Sequence, residues 1–582
     1  MNAQDMITEH LDIWTTAQEP KKTGGRGRGK KKNGQSLYGI KKLRELILDL
    51  AVRGKLVEQN PEDEPASVLL EKIAAEKARL IEEGKIKKQK KLSEITEEER
   101  PFDLPDGWEW VRLIDIGYNL GQTKPEEEFT YIDVSSIDNV AGTISFPSIL
   151  SAAKAPSRAR KIIKVGTVIY STVRPYLQNI CVIDQEYNPR PIASTAFAIL
   201  HPFQQMPGKF FVIYLRSPIF TNYVELVQTG IAYPAINDKR FFSGLAPLPP
   251  LPEQHRIVTK VDELMALCDQ LEQQQTTSNA THQTLLQTLL ATLIASADHE
   301  AFTTAWERIA SHFDLLFTTE QSIDQLKQTI LQLAVMGKLV PQHPEDEPAS
   351  LLLEKIAQEK ARLIKEGKIK KQKKLPAITE EEKPFALPEG WEWVRLNNVL
   401  DVRDGTHDTP KYVNSGYPLI TSKNLYSGKL SFEDVKYIST ENHKKIIERS
   451  KVDLGDILFA MIGSIGNPVI VDCDDEFSIK NVALFKFLVA GQPDNRYLYF
   501  FLLLAQKNMR DTASGAVQNF VSLTFLRNYL FPLPPIEEQH RIVAKVDELM
   551  ALCDHLKTRL HKNQTTKLQL ADTIVKLNGD HP

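Results

Sequence analysis

Residues 247–258 read Pro-Leu-Pro-Pro-Leu-Pro-Glu-Gln-His-Arg-Ile-Val, and residues 532–543 repeat them as Pro-Leu-Pro-Pro-Ile-Glu-Glu-Gln-His-Arg-Ile-Val. A second pair of copies, residues 61–92 and 344–375, differs at only three positions. Between the copies lie two segments of similar length and almost unrelated sequence, which we name region one (114–246) and region two (397–531). The sequence therefore contains an internal duplication, and its period is far too long for a solenoid.

Faint matches inside the two regions indicate a shared fold. Gly-Thr-Val-Ile-Tyr-Ser at 166–171 aligns with Gly-Asp-Ile-Leu-Phe-Ala at 455–460, and each predicts a turn followed by a strand. We predict an α+β protein with a pseudo-twofold internal repeat, in which regions one and two are globular α/β domains. Near-identity outside them indicates something bound twice in the same way, and divergence inside them indicates two different things being read.

Helical periodicity follows each copy of the Pro-Leu-Pro-Pro motif. Apolar residues recur there with the alternating spacing of four and three that marks a coiled-coil seam. We predict two long helices that form an antiparallel coiled coil. The predicted core residues are Ile257, Val261, Leu264, Cys268 and Leu271 in the first helix and Ile542, Val546, Leu549, Cys553 and Leu556 in the second. In the first helix polar residues interrupt the seam, and we expect Leu285 and Leu289 to resume it.

These patterns predict five segments. They are a helical repeat region with a basic arm (1–113), region one (114–246), a central helical spacer with the second repeat region (247–396), region two (397–531) and a C-terminal spacer helix (532–582). The basic arm, Lys21–Lys32, is rich in Gly, Lys and Arg and predicts non-specific phosphate binding. The identical Lys-rich runs 85–91 and 368–374 are either DNA or partner contacts or solvated helix faces.

Composition limits the classes of function. The 72 basic and 75 acidic residues nearly cancel, so any nucleic-acid binding has to be local. The longest strongly apolar run, Tyr497–Ala505, is too short to cross a bilayer, and no secretory signal opens the chain, so we expect a cytoplasmic protein. Both Pro-Pro pairs follow leucine, not the Asn or Asp expected of an amino-methyltransferase, and no carboxylate or histidine pattern predicts a nuclease or metal site.

Together these features resemble the specificity subunit of type I restriction-modification enzymes. The residues that carry the resemblance are the two Pro-Leu-Pro-Pro segments and the run Asp-Gly-Thr-His-Asp-Thr-Pro at 404–410, where region one has Gly-Gln-Thr-Lys at 121–124. The resemblance implies that regions one and two are target-recognition domains, each reading one half of a split double-stranded DNA sequence. It also implies docking of two methyltransferase (modification) subunits and of restriction (translocase-nuclease) subunits. S-adenosylmethionine, ATP and magnesium would be bound by those partners, leaving this chain non-catalytic, without a cofactor and without a membrane contact.

Physical reasoning independently favours a split, asymmetric site. Two similar domains on one rigid spacer would address DNA segments a fixed number of base pairs apart. Because the regions differ, the two half-sites should differ as well. The rival hypotheses are an enzyme in its own right and a coiled-coil scaffold that binds only proteins.

Candidate DNA contacts fall into two kinds. The first is a pair of basic clusters suited to phosphate, which we expect at equivalent places before a shared strand: Arg158, Arg160, Lys161 and Lys164 in region one, and Lys444, Lys445, Arg449 and Lys451 in region two. A solvated helix end would explain them equally well.

The second kind is loop residues with the donors and acceptors that read bases. In region one the candidates are Arg174, Tyr176, Gln178, Asn179, Tyr233, Asn237, Lys239 and Arg240. In region two they are Arg403, Thr406, His407, Lys411, Ser422, Lys423, Asn424, Gln518 and Asn519. Polar loops are common on any protein surface, so the segments are better candidates than their single members.

Overall fold

The computed structural model describes residues 7–19, 37–88, 92–371, 375–426, 428–513 and 520–580. Contacts divide the chain into unit one, Met1–Ala280 with Lys562–Pro582, and unit two, Thr281–His561. Region one lies in unit one and region two in unit two. The basic arm at 21–32 lies outside the described residues, as do the ends of the two Lys-rich runs.

The described part of unit one contains seven complete helices of four or more residues and twelve strands. The helices are α1 (Leu11–Thr16), α2 (Tyr38–Val52), α3 (Ala66–Glu82), α4 (Leu113–Ile116), α5 (Gly208–Arg216), α6 (Pro218–Val227) and α7 (Asp238–Ser243). The strands are β1 (Glu109–Arg112), β2 (Gly117–Tyr118), β3 (Phe129–Ile132), β4 (Ile137–Asp138), β5 (Thr143–Ile144), β6 (Ser148–Leu150), β7 (Ala159–Ile162), β8 (Val168–Ser171), β9 (Ile180–Val182), β10 (Pro191–Ser194), β11 (Phe197–Pro202) and β12 (Leu245–Leu248).

The long helix α8 (Leu251–Ala295) begins in unit one and ends in unit two. The further helices of unit two are α9 (His299–Ala310), α10 (Phe313–Leu316), α11 (Glu320–Val335), α12 (Ala349–Lys365), α13 (Leu396–Val399), α14 (Thr440–Ser450), α15 (Asn495–Asp511) and α16 (Leu523–Asn528). Its strands are β13 (Glu392–Arg395), β14 (Leu400–Asp404), β15 (Tyr412–Val413), β16 (Tyr417–Ile420), β17 (Lys436–Ile438), β18 (Ile457–Ala460), β19 (Gly466–Ile470), β20 (Ser478–Ile479), β21 (Val482–Phe487) and β22 (Leu530–Leu533). The second long helix, α17 (Ile536–Asp580), begins in unit two and ends in unit one.

Each region is closed at its base by a pair of strands from the repeated sequence. In unit one β1 pairs antiparallel with β12, with Trp110 opposite Pro247. In unit two β13 pairs with β22 in the same register, with Trp393 opposite Pro532. The two repeated motifs on either side of a region are therefore the two strands of one clasp, which explains why both recur in each half of the chain.

A buried carboxylate joins each clasp to the long helix that follows it. The Glu253 side chain accepts hydrogen bonds from Trp108 Nε1 at 2.9 Å and from Gln59 Nε2 at 2.7 Å. Its copy, Glu538, accepts from Trp391 Nε1 at 2.9 Å and from Gln342 Nε2 at 3.0 Å. Both glutamates are almost fully buried. The Trp and Glu of the two motifs are thus partners in a structural network.

Burial raises the pKa of both glutamates, although the hydrogen bonds from Trp and Gln favour the charged form. A carboxylate whose pKa is raised by folding stabilises the native state below its unfolded pKa, near 4.3, and loses that contribution as the pH rises through the folded pKa. We therefore expect the free energy of unfolding of Glu253→Gln, relative to the unsubstituted chain, to increase from about pH 4 toward neutrality. Urea unfolding at several pH values measures this difference, and Glu538→Gln should show the same direction. A difference that is constant with pH would contradict it.

The two regions share most of a two-sheet scaffold. One sheet has the order β2-β11-β8-β9 in region one and β14-β21-β18-β19 in region two, which is the same topology. In the other sheet, the parallel pair β3–β10 with antiparallel β6 matches the parallel pair β16–β20 with antiparallel β17. The edges differ, because β7 extends this sheet beside β10 whereas β15 extends its counterpart beside β17. The predicted α/β domains with a shared scaffold and different surfaces are confirmed.

The apolar seam of each long helix lies in the core of a unit. Ile257, Val261, Leu264 and Cys268 are buried and Leu271 is partly buried, in the cluster that also holds Ala571 and Ile574 of α17. In unit two, Ile542, Val546 and Cys553 are buried and Leu549 and Leu556 partly buried, in the cluster that holds the end of α8. Because each unit packs the start of one long helix with the end of the other, the coiled coil is antiparallel.

A third helix completes each of these cores. In unit one it is α2, whose apolar face shares the cluster, and whose Arg44 Nη2 donates to Asp269 Oδ1 at 2.6 Å. In unit two α11 takes this place, and Lys327 pairs with Asp554. The predicted pairing of the two long helices is confirmed, and the structure adds a third helix to each core that the prediction did not name. The predicted return of the seam at Leu285 is wrong by one residue, because Leu285 is exposed while Leu286 is buried.

Candidate DNA interface

Three loops of region one meet at one surface. Val173, after β8, forms an isolated bridge with Ala235, before α7. The backbone N–H of Arg174 donates to Pro234 O at 2.8 Å. The turn between β4 and β5 joins them through Asn139 Nδ2, which donates to Leu177 O at 2.8 Å. The two segments that contain the loop candidates of region one, 172–179 and 233–240, are therefore adjacent.

A residue that the sequence did not single out fastens two of these loops. Arg216, at the end of α5, donates from Nη2 to Asn139 O at 2.6 Å and lies 3.5 Å from Gln178 O. Burial lowers the pKa of its guanidinium. An arginine at the end of a surface helix gives no sequence signal for such a role, because its partners are backbone carbonyls of distant loops.

Arg174 is an exposed basic residue of this surface and has an aromatic neighbour. Its guanidinium carbon lies 5.0 Å from the centre of the Tyr233 ring, and Tyr233 is 71% exposed. The backbone of Arg174 is left-handed, with φ +48°. Tyr176 is exposed two residues further on, whereas Gln178 is half-buried, with Nε2 3.4 Å from Thr221 Oγ1.

Other candidates of region one have structural tasks. Asn179 is buried. Asn237 caps α7, accepting from the N–H of Arg240 at 2.9 Å, and Arg240 Nη1 donates to Val227 O at 2.7 Å. Lys239 is exposed on the same helix. Of these four, Asn237 and Lys239 are exposed to solvent, whereas Asn179 is buried and Arg240 half-buried.

Successive side chains of β7 point to opposite faces of the sheet, and this separates the basic residues of region one. Arg158 and Lys164 are exposed and Arg160 is half-buried, but Lys161 points inward, is 4% exposed and donates to Asp238 Oδ2 at 2.8 Å. The predicted equivalence with the cluster of region two is wrong, because Lys444 and Lys445 lie on a helix, α14. Sequence alignment could not show this, since it falls where the two edges of the scaffold differ.

Helix α14 is held by a buried histidine beside the two lysines. The His443 ring stacks on Tyr417 with 3.8 Å between centroids, and its Nδ1 lies 3.0 Å from Ser478 Oγ. Burial lowers the pKa of His443. Since residues three and four apart share a helix face but immediate neighbours do not, anchoring His443 inward turns Lys444 and Lys445 outward, and both are exposed.

The Asp-Gly-Thr-His run of region two forms a compact polar cluster. The buried Asp404 lies 2.9 Å from His407 Nε2 and also pairs with Arg449, while His407 Nδ1 lies 3.0 Å from Asn481 Oδ1. Gly405 packs so tightly that a Cβ would lie 2.2 Å from Ile479 O, which explains the glycine of the run. His407 remains exposed. This arrangement fixes an imidazole at the surface.

The remaining candidates of region two divide in the same way. Arg403 donates to Asp401 Oδ2 at 2.7 Å, and Asn424 is buried, accepting from the N–H of Thr421 at 3.0 Å. Thr406 and Ser422 are half-buried, and Lys411 and Lys423 are exposed. Gln518 and Asn519 lie outside the described residues.

The loops joined by these bridges occupy equivalent places in the two regions. The bridge between Val173 and Ala235 has its counterpart between Ile462 and Phe520. Directly after each bridge comes a left-handed residue, Arg174 in region one and Gly463, with φ +76°, in region two. One loop platform thus carries different side chains in the two halves of the chain.

Two searches of the described residues bear on other classes of function. None of the helices there is long and apolar enough to cross a membrane. Within the same part of the chain, no group of three or more His, Cys, Asp or Glu side chains is placed to hold a metal ion.

Two units with the same clasp and the same buried network, each carrying a differently surfaced region, define an internally duplicated recognition protein. A family model described as the type I restriction modification DNA specificity domain matches residues 388–565. The type I restriction enzyme EcoAI specificity subunit of Escherichia coli is 41% identical, over 99% of this chain and 99% of that one. The chain belongs to the family of type I restriction enzyme specificity subunits.

The chain is similar to two further proteins. The EcoEI specificity subunit of Escherichia coli is 37% identical over 99% of both chains. A crystal structure of an HsdS subunit from Thermoanaerobacter tengcongensis is 24% identical, with 82% of this chain and 98% of that chain covered and a TM-score of 0.44.

Proposed function

We propose that this chain is the DNA-recognition subunit of a type I restriction-modification complex and reads a split, asymmetric site. Region one would read one half and region two the other. The observation that carries the proposal is the shared loop platform, on which the bridges Val173–Ala235 and Ile462–Phe520 hold different side chains in equivalent positions. A common scaffold with different loop residues is what two different half-sites require.

The repeated parts would serve assembly. Both copies expose the same leucine of the long helices, Leu267 at 53% and Leu552 at 59%. A surface present twice suits a partner present twice, so we propose docking of two methyltransferase subunits, with restriction subunits joining for cleavage. The long helices would set the unread gap between the half-sites.

Catalysis would belong to the partners. The sequence lacks the Asn or Asp before Pro-Pro-aromatic that an amino-methyltransferase would show. We therefore propose that methyltransferase subunits bind S-adenosylmethionine and restriction subunits bind ATP and magnesium. A role on cellular DNA places the assembly in the cytoplasm.

A DNA-selection assay tests the proposal. The chain is co-expressed with its methyltransferase subunit, the assembled complex is isolated, and bound fragments from a random duplex library are sequenced. We expect an enriched motif of two different halves separated by a fixed gap. The methyltransferase subunit alone, used as the control, should enrich no such motif. An assembled complex that enriches none would support the protein scaffold instead.

A further inference from the structure

Arg174 occupies a backbone position that glycine fills in the other half of the chain. Its φ is +48°, and the equivalent Gly463 has φ +76°. L-residues adopt this left-handed conformation at an energetic cost that glycine avoids. A non-glycine residue held there is a reason to look for function in its side chain. The scaffold of region one therefore retains an arginine where glycine would be easier to fold.

We infer that Arg174 reads a guanine in the half-site bound by region one, with the Tyr233 ring holding its guanidinium in place. The inference rests on the proposed function and names the residue and the base for one half-site. Arginine is the side chain whose paired donors match O6 and N7 of guanine in the major groove.

The guanidinium of Arg174 is exposed and fixed, yet uncommitted. It lies 5.0 Å from the Tyr233 ring, an arrangement that holds a cation by its attraction to the ring face. Among the described residues it forms no ion pair with a carboxylate, unlike Lys161 of the same region, which is paired with Asp238. Its N–H donors therefore remain available to a ligand, in the planar fork that suits a base edge.

The loop that carries Arg174 is also fixed before DNA arrives. The backbone N–H of Arg174 donates to Pro234 O at 2.8 Å. The side chains of Asn139 and Arg216 donate to the carbonyls of Leu177 and Gln178, respectively. Rigid placement of a reading side chain reduces the ordering cost of binding.

Exposed apolar side chains lie on the same two bridged loops as this arginine and Tyr233. Tyr176 is 57% exposed and Ile231 is fully exposed, on the two loops that the bridge joins. Apolar side chains gathered at a surface mark an interaction site. In the major groove they can contact thymine methyl groups beside the guanine that Arg174 reads.

Arg174→Gly tests the inference, because glycine suits the backbone and removes only the side chain. In the selection assay with the methyltransferase complex, we expect the variant to lose its preference at one G·C pair of one half-site, by roughly five- to one-hundred-fold. The other half-site and the gap should be unchanged. Arg174→Lys, which keeps the charge without the fork, should lose the same preference while retaining most of its overall affinity.

Matched variants separate reading from structure. Gln205 also has a left-handed backbone, with φ +52°, and follows the C-terminal end of β11, away from the bridged loops. Gln205→Gly therefore makes the same kind of substitution elsewhere and should leave the motif unchanged. Tyr233→Phe keeps the ring and should keep the preference, whereas Tyr233→Ala should weaken it. Three results would overturn the role of Arg174 but leave the proposed function standing. They are a variant motif identical to that of the unsubstituted chain, a change at an A·T pair, and a change in both half-sites. Failure of the unsubstituted complex to enrich any motif would overturn the proposed function together with this inference.

Discussion

Replacing Ile257 by alanine is expected to lower the free energy of unfolding of unit one by about 2–5 kcal/mol. Ile257 has no exposed surface and lies in the core cluster that joins α8 to α2 and to the end of α17. Truncation removes buried methyl groups and leaves a cavity that three helices cannot easily close. Urea unfolding, with hydrogen exchange to assign the transition to unit one, measures the change.

The same helices provide controls for this substitution. Leu267→Ala removes an exposed leucine from α8 and should change stability by only about 0.5 kcal/mol or less. Ile542→Ala removes the copy of Ile257 from the core of unit two and should reproduce its large effect there. Equal losses for Ile257→Ala and Leu267→Ala would show that the seam is not the buried face.

Exchanging residues 397–528 for those of a relative with a different target is expected to change one half of the recognised sequence completely. Each base pair that no longer matches should cost about 1–3 kcal/mol of binding, so three such changes together reverse the preference by orders of magnitude. The other half and the gap should stay as they were. Selection of bound DNA by the assembled chimera is the measurement.

The clasp determines where this exchange should be cut. Cuts at 397 and 528 leave β13 and β22 in register and keep the hydrogen bond from Leu396 N to Tyr529 O, 3.0 Å long. A chimera cut within β22, which mixes the clasp of two proteins, is the matched control and should assemble less well. A change in both half-sites, or in neither, would contradict modular reading by the two regions.

Periodicity identified the long helices because a seam of apolar residues records which face is buried. It could not identify what covers that face, so α2 and α11 were missed as third partners. The return of the seam at Leu286 instead of Leu285 was missed for a related reason: adjacent leucines at 285 and 286 suit either phase.

Residue type was a weaker guide to the candidate interface. Arg174, His407 and Lys444 are exposed, whereas Lys161, Asn179 and Asn424 are buried. Donors that could read bases are also the donors that cap helices and pair with carboxylates, and sequence alone does not separate these uses. The alternation of β7 and the left-handed backbone of Arg174 became visible only in the fold.

Because α17 ends in unit one, the two units receive their last residues at different times during synthesis. Unit two is one continuous stretch of chain, but the core of unit one needs Ala571 and Ile574, and Lys567 Nζ reaches Thr16 Oγ1 at 2.7 Å. At a ribosomal rate of about 5–20 residues per second, those last residues follow Ala280 by roughly 15–60 s. Unit one is therefore the later of the two units to receive all of its residues, and part of its apolar surface stays uncovered until Ala571 and Ile574 have been synthesised.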